Sequence, residues 1–84
     1  MVKLIITPAA AEEFDELPLP IQARVLKVFE RLEKFPNISG AKPLRGERAG
    51  YFRIRTGDYR VQFRAEGNRL IIEKVGHRDG FYED

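Results

Sequence analysis

The 84-residue sequence has no cysteine and no tryptophan, and it has a single histidine, His77. The missing cysteines exclude disulfide bonds and cysteine-based zinc sites, and one imidazole cannot form a multi-histidine metal site. No apolar run approaches the 18 residues of a transmembrane helix, and the apolar stretch near the N-terminus is too short for a signal peptide. We therefore expect a cytoplasmic protein that needs no metal and no cofactor.

The length and composition indicate one globular domain over residues 1–84. A chain this short has room for a single hydrophobic core built from two layers. Hydrophobic residues make up 43% of the sequence and charged residues 33%. This composition is typical of a globular protein and too apolar for a disordered one.

Positive charge is concentrated in the second half of the chain. The formal net charge is only +2, but the segment from Lys42 to Arg64 has seven basic residues against Glu47 and Asp58, and six of the seven are arginines. Arginine suits phosphate because its planar fork can bind two oxygens at once and can stack on bases. The segment therefore predicts a polyanionic partner, with a solvated sheet face as the alternative.

Two amphipathic helices are expected after a short strand at Val2–Ile6, whose nearly continuous apolar character suggests burial on both sides. Thr7 and Pro8 have the order of a helix cap and a first helical residue, and they predict a helix over Ala9–Leu17. The apolar residues of Ile21–Phe35 recur every three to four positions, which predicts a second helix that ends before the next proline. The two helices would form an antiparallel hairpin with one shared apolar side.

The sequence pattern changes to a period of two after a loop over Pro36–Gly50. Tyr51–Thr56 and Tyr59–Ala65 alternate apolar and polar residues, which predicts two strands. Gly57-Asp58 joins them and fits a two-residue type II′ turn. The apolar cross-strand pairs would be Thr56 with Tyr59, Ile54 with Val61, and Phe52 with Phe63.

The other face of this predicted hairpin is rich in arginine. It would hold Arg53, Arg55, Arg60 and Arg64. Arg55 would lie directly opposite Arg60, and like charges in that position destabilise a sheet by about 0.2–1 kcal/mol. A polyanionic ligand would give the arrangement a purpose; the alternative is that Glu73 and the C-terminal acids neutralise the patch.

A third strand over Arg69–Gly76 is expected after a second two-residue turn, Gly67-Asn68. Strict alternation would point Lys74 inward and Val75 outward, whereas a bulge at the preceding residues would place Val75 inside. Both arrangements are open at this point. The direction of His77 depends on which of them occurs.

Several segments of the second half carry a resemblance to a known family. They are Lys42-Pro43-Leu44-Arg45-Gly46, Tyr51 to Arg55, Gly57-Asp58-Tyr59-Arg60-Val61, and Val75-Gly76-His77-Arg78 with Tyr82. In this order they resemble the RelE/ParE superfamily of bacterial toxins from type II toxin–antitoxin systems. The resemblance implies an α+β fold of order β-α-α-β-β-β, in which strand 1 lies beside an antiparallel meander and a two-helix hairpin packs on one face.

The resemblance narrows the function to two classes without choosing between them. RelE-like members are ribosome-dependent endoribonucleases that cut mRNA in the ribosomal A site, by attack of a ribose 2′-OH on the adjacent phosphate. ParE-like members share the fold but inhibit DNA gyrase. We expect the first activity, keep the second as the alternative, and note a third, a silent relative that only binds RNA or its antitoxin.

Site residues follow from the resemblance position by position. Arg60 and Arg78 match arginines that would hold the scissile phosphate, and His77 and Tyr82 would transfer protons, since histidine can act as acid or base near neutral pH. The residues expected to bind the rest of the RNA are Lys42, Arg45, Arg53, Arg55 and Arg64. Where RelE-like toxins carry a lysine at position 53 or 55 it can serve as the base, a role that arginine does not readily fill. His77 could instead stack on Tyr59.

The resemblance also implies partners. A cognate antitoxin would wrap the toxin, form a hetero-oligomer with it and cover its basic face. An acidic, partly helical antitoxin segment would suit that face electrostatically. The ribosome and mRNA would be the targets of a nuclease and DNA gyrase the target of the alternative, and no membrane association is expected.

Overall fold

The structure, a computed structural model, describes residues 2–44 and 50–80. Its strands are β1 (Lys3–Ile6), β2 (Lys42–Pro43), β3 (Tyr51–Thr56), β4 (Tyr59–Glu66) and β5 (Arg69–His77). Its helices are α1 (Pro8–Asp15) and α2 (Leu19–Leu32), and a short 3₁₀ turn covers Arg78–Gly80. The five strands form one sheet of order β1-β5-β4-β3-β2, in which β1 runs parallel to β5 and the other neighbours are antiparallel. The predicted α+β fold is confirmed.

Both helices are confirmed, but each begins one or two residues before the predicted bounds and ends two or three residues before them. The Thr7 hydroxyl accepts a hydrogen bond from the Ala10 amide at 3.1 Å, which caps α1. Helix α2 ends at Leu32, and the chain then turns towards a cis Phe35–Pro36 bond. Helical dihedral angles are disfavoured for the residue before a proline, which places Phe35 outside the helix. Its ring packs on the sheet against Phe52 and Phe63. Within residues 2–44 and 50–80, no helix is long and apolar enough to cross a bilayer.

Gln22 connects the two helices. Its side-chain amide on α2 donates towards three carbonyl oxygens at the end of α1, those of Phe14 at 3.2 Å, Asp15 at 3.3 Å and Leu17 at 3.1 Å. The last carbonyls of a helix have no partner within the helix. Gln22 therefore adds donors to carbonyls at and just after the end of α1 and links the two helices.

The core lies between the helix hairpin and one face of the sheet. Its fully buried members include Val25, Leu32, Ile54, Val61 and Phe63, each no more than 1% exposed. Three aromatic rings close one end of this core, with centroids 5.4–5.7 Å apart: those of Phe35, Phe52 and Phe63.

The β3–β4 hairpin has the predicted register. Thr56 pairs with Tyr59 and Arg55 with Arg60, so the apolar and arginine-rich sets fall on opposite faces. Gly57 and Gly67 have φ of 61° and 62° at the first central position of the two turns. A positive φ at that position is what a type II′ turn requires.

A bulge in β5 determines which way Val75 and His77 point, a question that the sequence left open. The register shifts between Gln62, which pairs with Lys74, and Phe63, which pairs with Ile72, so Glu73 is the extra residue. Val75 then points into the core, where it is 2% exposed. The Glu13 carboxylate of α1 accepts a hydrogen bond from the Val75 amide at 2.9 Å and so secures the bulge.

Two features of the sheet edges differ from prediction. β1 is an edge strand with only half-buried central residues and with Ile6 44% exposed, not a strand buried on both sides. The predicted loop contains a short fifth strand, β2, at the other edge. Pro43 is tolerated there because an edge strand need not donate every amide to the sheet.

The contacts of Gln22 predict a stability difference between two substitutions. We expect Gln22→Ala to lower the free energy of unfolding by about 1 kcal/mol, since carbonyls lose their donor. Gln22→Glu has nearly the same size but places a carboxylate against carbonyl oxygens, so it is expected to cost at least as much at neutral pH. Urea denaturation of the three proteins measures this, and a Gln22→Glu protein as stable as the wild type would contradict it.

Candidate nucleic-acid interface

The face of the sheet opposite α1 and α2 carries most of the predicted site residues. We call it the open face. Directly paired residues of neighbouring strands share a face, so the open face contains cross-strand rows, three of which hold the predicted site residues. They are the Arg55 row (Arg55, Arg60, Gly76), the Arg53 row (Lys42, Arg53, Gln62, Lys74) and the Arg64 row (Tyr51, Arg64, Ile71, Ile5).

The Arg55 row pairs two arginines directly across β3 and β4. In the described part of the chain, no carboxylate lies within 4.0 Å of Arg55 or Arg60, and the buried Nη1 of Arg60 has no hydrogen-bond partner. A buried donor without a partner costs about 1–3 kcal/mol. A bound anion would satisfy that donor and screen the two charges from each other.

The Arg53 row extends the positive charge to the edge of the sheet. Lys42 of β2 pairs with Arg53 of β3, and Lys74 pairs with Gln62 of β4. Lys42 is exposed, while the other two cations are half-buried. The structure thus brings together four of the predicted site residues: Lys42, Arg53, Arg55 and Arg60.

Arg64 differs from these residues because carboxylates surround it. Its Nε lies 2.7 Å from Glu73, and its Nη1 forms an ion pair with Glu66, which also pairs with Arg69. The hydrogen bonds from Arg64 and then Arg69 lower the pKa of Glu66, and those to Glu73 and Glu66 raise the pKa of Arg64. We call the four residues the ion-pair ladder; it compensates the charge that Arg64 was predicted to offer to RNA.

His77 lies on the other side of the sheet. It pairs with Tyr59, which belongs to the helix-facing set, and the two rings meet edge to face with centroids 5.1 Å apart. Its Nδ1 accepts a hydrogen bond from the Asp79 amide at 3.1 Å. The bulge causes this placement, because without the extra residue His77 would fall on the open face.

Arg78 follows β5 at the tip of the β3–β4 hairpin. Its amide donates to the Asp58 carbonyl at 2.8 Å, and its half-exposed guanidinium lies 4.0 Å from the Asp58 carboxylate and 3.7 Å from that of Asp79. Tyr82 and Arg45, also predicted site residues, lie outside the described residues. Residues 2–44 and 50–80 contain no cluster of three or more metal-ligating side chains.

Sequence reasoning offered Glu73 as a neutralising residue of the arginine patch but missed the pairing of Arg64 and Arg69 with Glu66 and the contact of Glu13. The ladder had a detectable signal: Glu66 and Arg69 flank a two-residue turn and so lie opposite each other. The contact of Glu13 had no sequence signal, because nothing in the sequence relates a carboxylate on α1 to an amide on β5.

Comparisons with known proteins identify the family to which this chain belongs. A family model described as the ParE toxin of the type II toxin–antitoxin system, parDE, matches residues 4–80. The chain belongs to the RelE/ParE superfamily of toxins. It is 38% identical over 79 residues to Toxin RelG of Mycobacterium tuberculosis, covering 90% of each chain, and 23% identical over 86 residues to Toxin RelE3 of Methanocaldococcus jannaschii, covering 98% of this chain and 97% of the relative.

Solved structures of RelE-type toxins share the fold. The toxin–antitoxin complex RelBE2 of M. tuberculosis matches with a TM-score of 0.81 at 35% identity, over 93% of this chain and 94% of the other. The isolated E. coli RelE toxin matches with a TM-score of 0.78 over 92% and 84% of the two chains. At 20% identity this second likeness concerns the fold alone.

The lowered pKa of Glu66 predicts a pH-dependent stability. A depressed carboxyl pKa stabilises the folded state above the ordinary value of 4.5, and the contribution is lost as the pH falls through the lower folded value. We expect Glu66→Gln to lower the Tm at neutral pH and the difference from the wild type to shrink below pH 4.5. Thermal melts across this range measure it.

The control for this prediction is Glu30→Gln. Glu30 is exposed on α2 and has no cation within 4.0 Å in the described part of the chain. A Tm difference for Glu66→Gln that stays constant from neutral to acidic pH would mean that the ladder adds nothing to stability.

Proposed function

We propose that this RelE/ParE superfamily protein is the toxin of a type II toxin–antitoxin system and that it cleaves mRNA in the ribosomal A site without a metal. The observation that carries the proposal is the Arg55–Arg60 pair on the open face, with an unsatisfied buried donor on Arg60. Such a pair costs stability in the isolated protein and gains it when a phosphate binds.

The chemistry of this cleavage is a transfer within the RNA. A base removes the proton of a ribose 2′-hydroxyl, whose oxygen attacks the adjacent phosphorus while the bond to the 5′-oxygen breaks. An acid protonates that leaving oxygen, and the products carry a 2′,3′-cyclic phosphate and a 5′-hydroxyl. Guanidinium groups stabilise the extra charge on the phosphate in the transition state.

The arrangement of the open face supports the following roles. Arg60 holds the scissile phosphate, together with Arg78 at the tip of the hairpin. The neighbouring phosphates are held by Arg55, Arg53 and Lys42; Arg45, outside the described residues, is given the same role by the resemblance alone. His77 packs on Tyr59 on the opposite side of the sheet, so we assign proton transfer to Tyr82 and give His77 the role of positioning the end of β5.

A cognate antitoxin is part of the proposal. The RelBE2 relative, 35% identical to this chain, was solved as a toxin–antitoxin complex. An acidic antitoxin segment would complement the Arg55 and Arg53 rows and occupy the same surface as the RNA. The toxin would act in the cytoplasm, where ribosomes translate mRNA.

Gyrase inhibition is the second candidate, because the matching family model is that of the ParE toxin. A supercoiling assay with purified gyrase separates the two. Inhibition of supercoiling without new RNA ends would support the ParE-like activity and contradict the nuclease.

Removal of Arg60 is the decisive test of the nuclease. Loss of one charge-stabilising donor costs about 10²–10³-fold in rate, so we expect Arg60→Ala to reduce mRNA cleavage by at least about 100-fold. Primer extension on mRNA in a cell-free translation extract measures the new 5′ ends. The Tm should not fall, because the substitution removes a like-charge pair and an unpaired donor.

Lys27→Ala is the control for Arg60→Ala. Lys27 is an exposed cation on α2, on the opposite side of the molecule from the open face, and its loss should leave cleavage unchanged. Wild-type protein that stops translation without producing new ends would contradict the proposed function.

A further inference from the structure

The Arg64 row differs in chemistry from the Arg53 row and the Arg55 row. Tyr51 begins β3 as a half-buried residue and lies directly opposite Arg64, a position in which Cβ atoms are about 4.5–5.5 Å apart. On the other side of Arg64, Ile71 is 7% exposed but is not part of the core beneath the helices. This row therefore brings together a half-buried aromatic ring and a half-buried guanidinium beside a buried apolar side chain.

Arg64 has few donors left for a phosphate. Its Nε and Nη1 bind Glu73 and Glu66, and these carboxylates compensate its charge. The same contacts hold the plane of the guanidinium in one orientation. A base that stacks on a guanidinium uses its flat surface and does not need its N–H groups, so the ion pairs oppose phosphate binding here and favour stacking.

The spacing of the rows fits one continuous strand of RNA. Neighbouring rows are two residues apart along β3 and β4, about 6.6–6.8 Å, while on β5 the bulge places Lys74 and Ile71 three residues apart. A strand whose phosphates contact the Arg55 and Arg53 rows would reach the Arg64 row within the next nucleotide. The arginine of that row, Arg64, is already compensated by Glu66 and Glu73. A base therefore fits the Arg64 row better than a phosphate does.

We propose that Tyr51 and the ion-paired guanidinium of Arg64 form a stacking platform for one unpaired base of the bound RNA. The proposal rests on the proposed function, because it requires RNA on the open face. The platform accepts any base, since every base has a π face, and purines stack on it more strongly because their ring area is larger.

The test measures binding of a short single-stranded RNA with 2′-O-methyl riboses, which cannot be cleaved, by fluorescence anisotropy. Loss of a stacking residue typically weakens binding by about 5- to 100-fold. We expect that loss for Tyr51→Leu and a change within about twofold for Tyr51→Phe, which keeps the ring. Arg64→Lys keeps the charge but loses the plane, and should also weaken binding.

Two further readouts separate stacking from a structural effect. An RNA with an abasic nucleotide at the stacked position, found by scanning each position in turn, should bind wild-type protein as weakly as Tyr51→Leu binds normal RNA, with no further loss when the two changes are combined. The salt dependence of binding should be unchanged in Tyr51→Leu, whereas Arg60→Ala should reduce its slope by about 0.7, the value for one phosphate contact on a single strand.

The outcomes distinguish the two proposals. If RNA binds and Arg60→Ala weakens it, but Tyr51→Leu and every abasic RNA behave as the wild type, the platform is wrong and the proposed function stands. If wild-type protein cleaves mRNA in the translation extract but does not bind the free RNA, the platform is wrong and the proposed function stands; if it neither binds nor cleaves, both fail. If Tyr51→Leu weakens only the binding of the antitoxin, the surface recognises protein and the platform is wrong.

Discussion

The pairing of Arg55 with Arg60 across β3 and β4 sets the character of the open face. Once these two residues are opposite each other, the period of two sends Ile54, Val61 and Phe63 into the core and the arginines to the other side. A shift of one residue would bury guanidinium groups under the helices. Core packing therefore enforces a cationic surface that side-chain electrostatics alone would oppose, and binding can recover the energy that this surface costs.

The bulge in β5 also decides which residues of that strand lie on the open face and which lie on the side of the helices. Glu13 on α1 accepts the Val75 amide that the bulge exposes, so one carboxylate from the helix layer controls which residues reach which face. Its consequence is that His77 meets the ring of Tyr59 edge to face, on the side of the sheet opposite Arg60. An imidazole that sequence reasoning assigned to proton transfer is thus better suited to holding the hairpin tip.

The open face is graded rather than uniformly basic. The Arg55 row has charges without carboxylate partners in the described chain, whereas the ion-pair ladder neutralises the Arg64 row. A nucleic acid strand needs such a gradient, because it presents phosphates on one side and bases on the other. A charge that differs from row to row also suits a superfamily that uses one fold for different targets. Loops and charge placement on a common sheet can change the ligand without changing the fold.

Much of this architecture was predictable from local patterns. The two helices, both two-residue turns and the β3–β4 register follow from periodicity and turn chemistry among residues close in the chain, and so does the cluster of Arg53, Arg55 and Arg60. The sequence left open whether the bulge forms and so which side of the sheet His77 occupies, and it gave no sign of the edge strand β2 or of the contact of Glu13. Each depends on contacts that form only after the layers pack, as between Glu13 and Val75, 62 residues apart. Local sequence encodes which face a strand residue prefers. Whether β5 continues with or without a bulge depends instead on a contact between distant segments, in which Glu13 accepts the hydrogen bond of the Val75 amide.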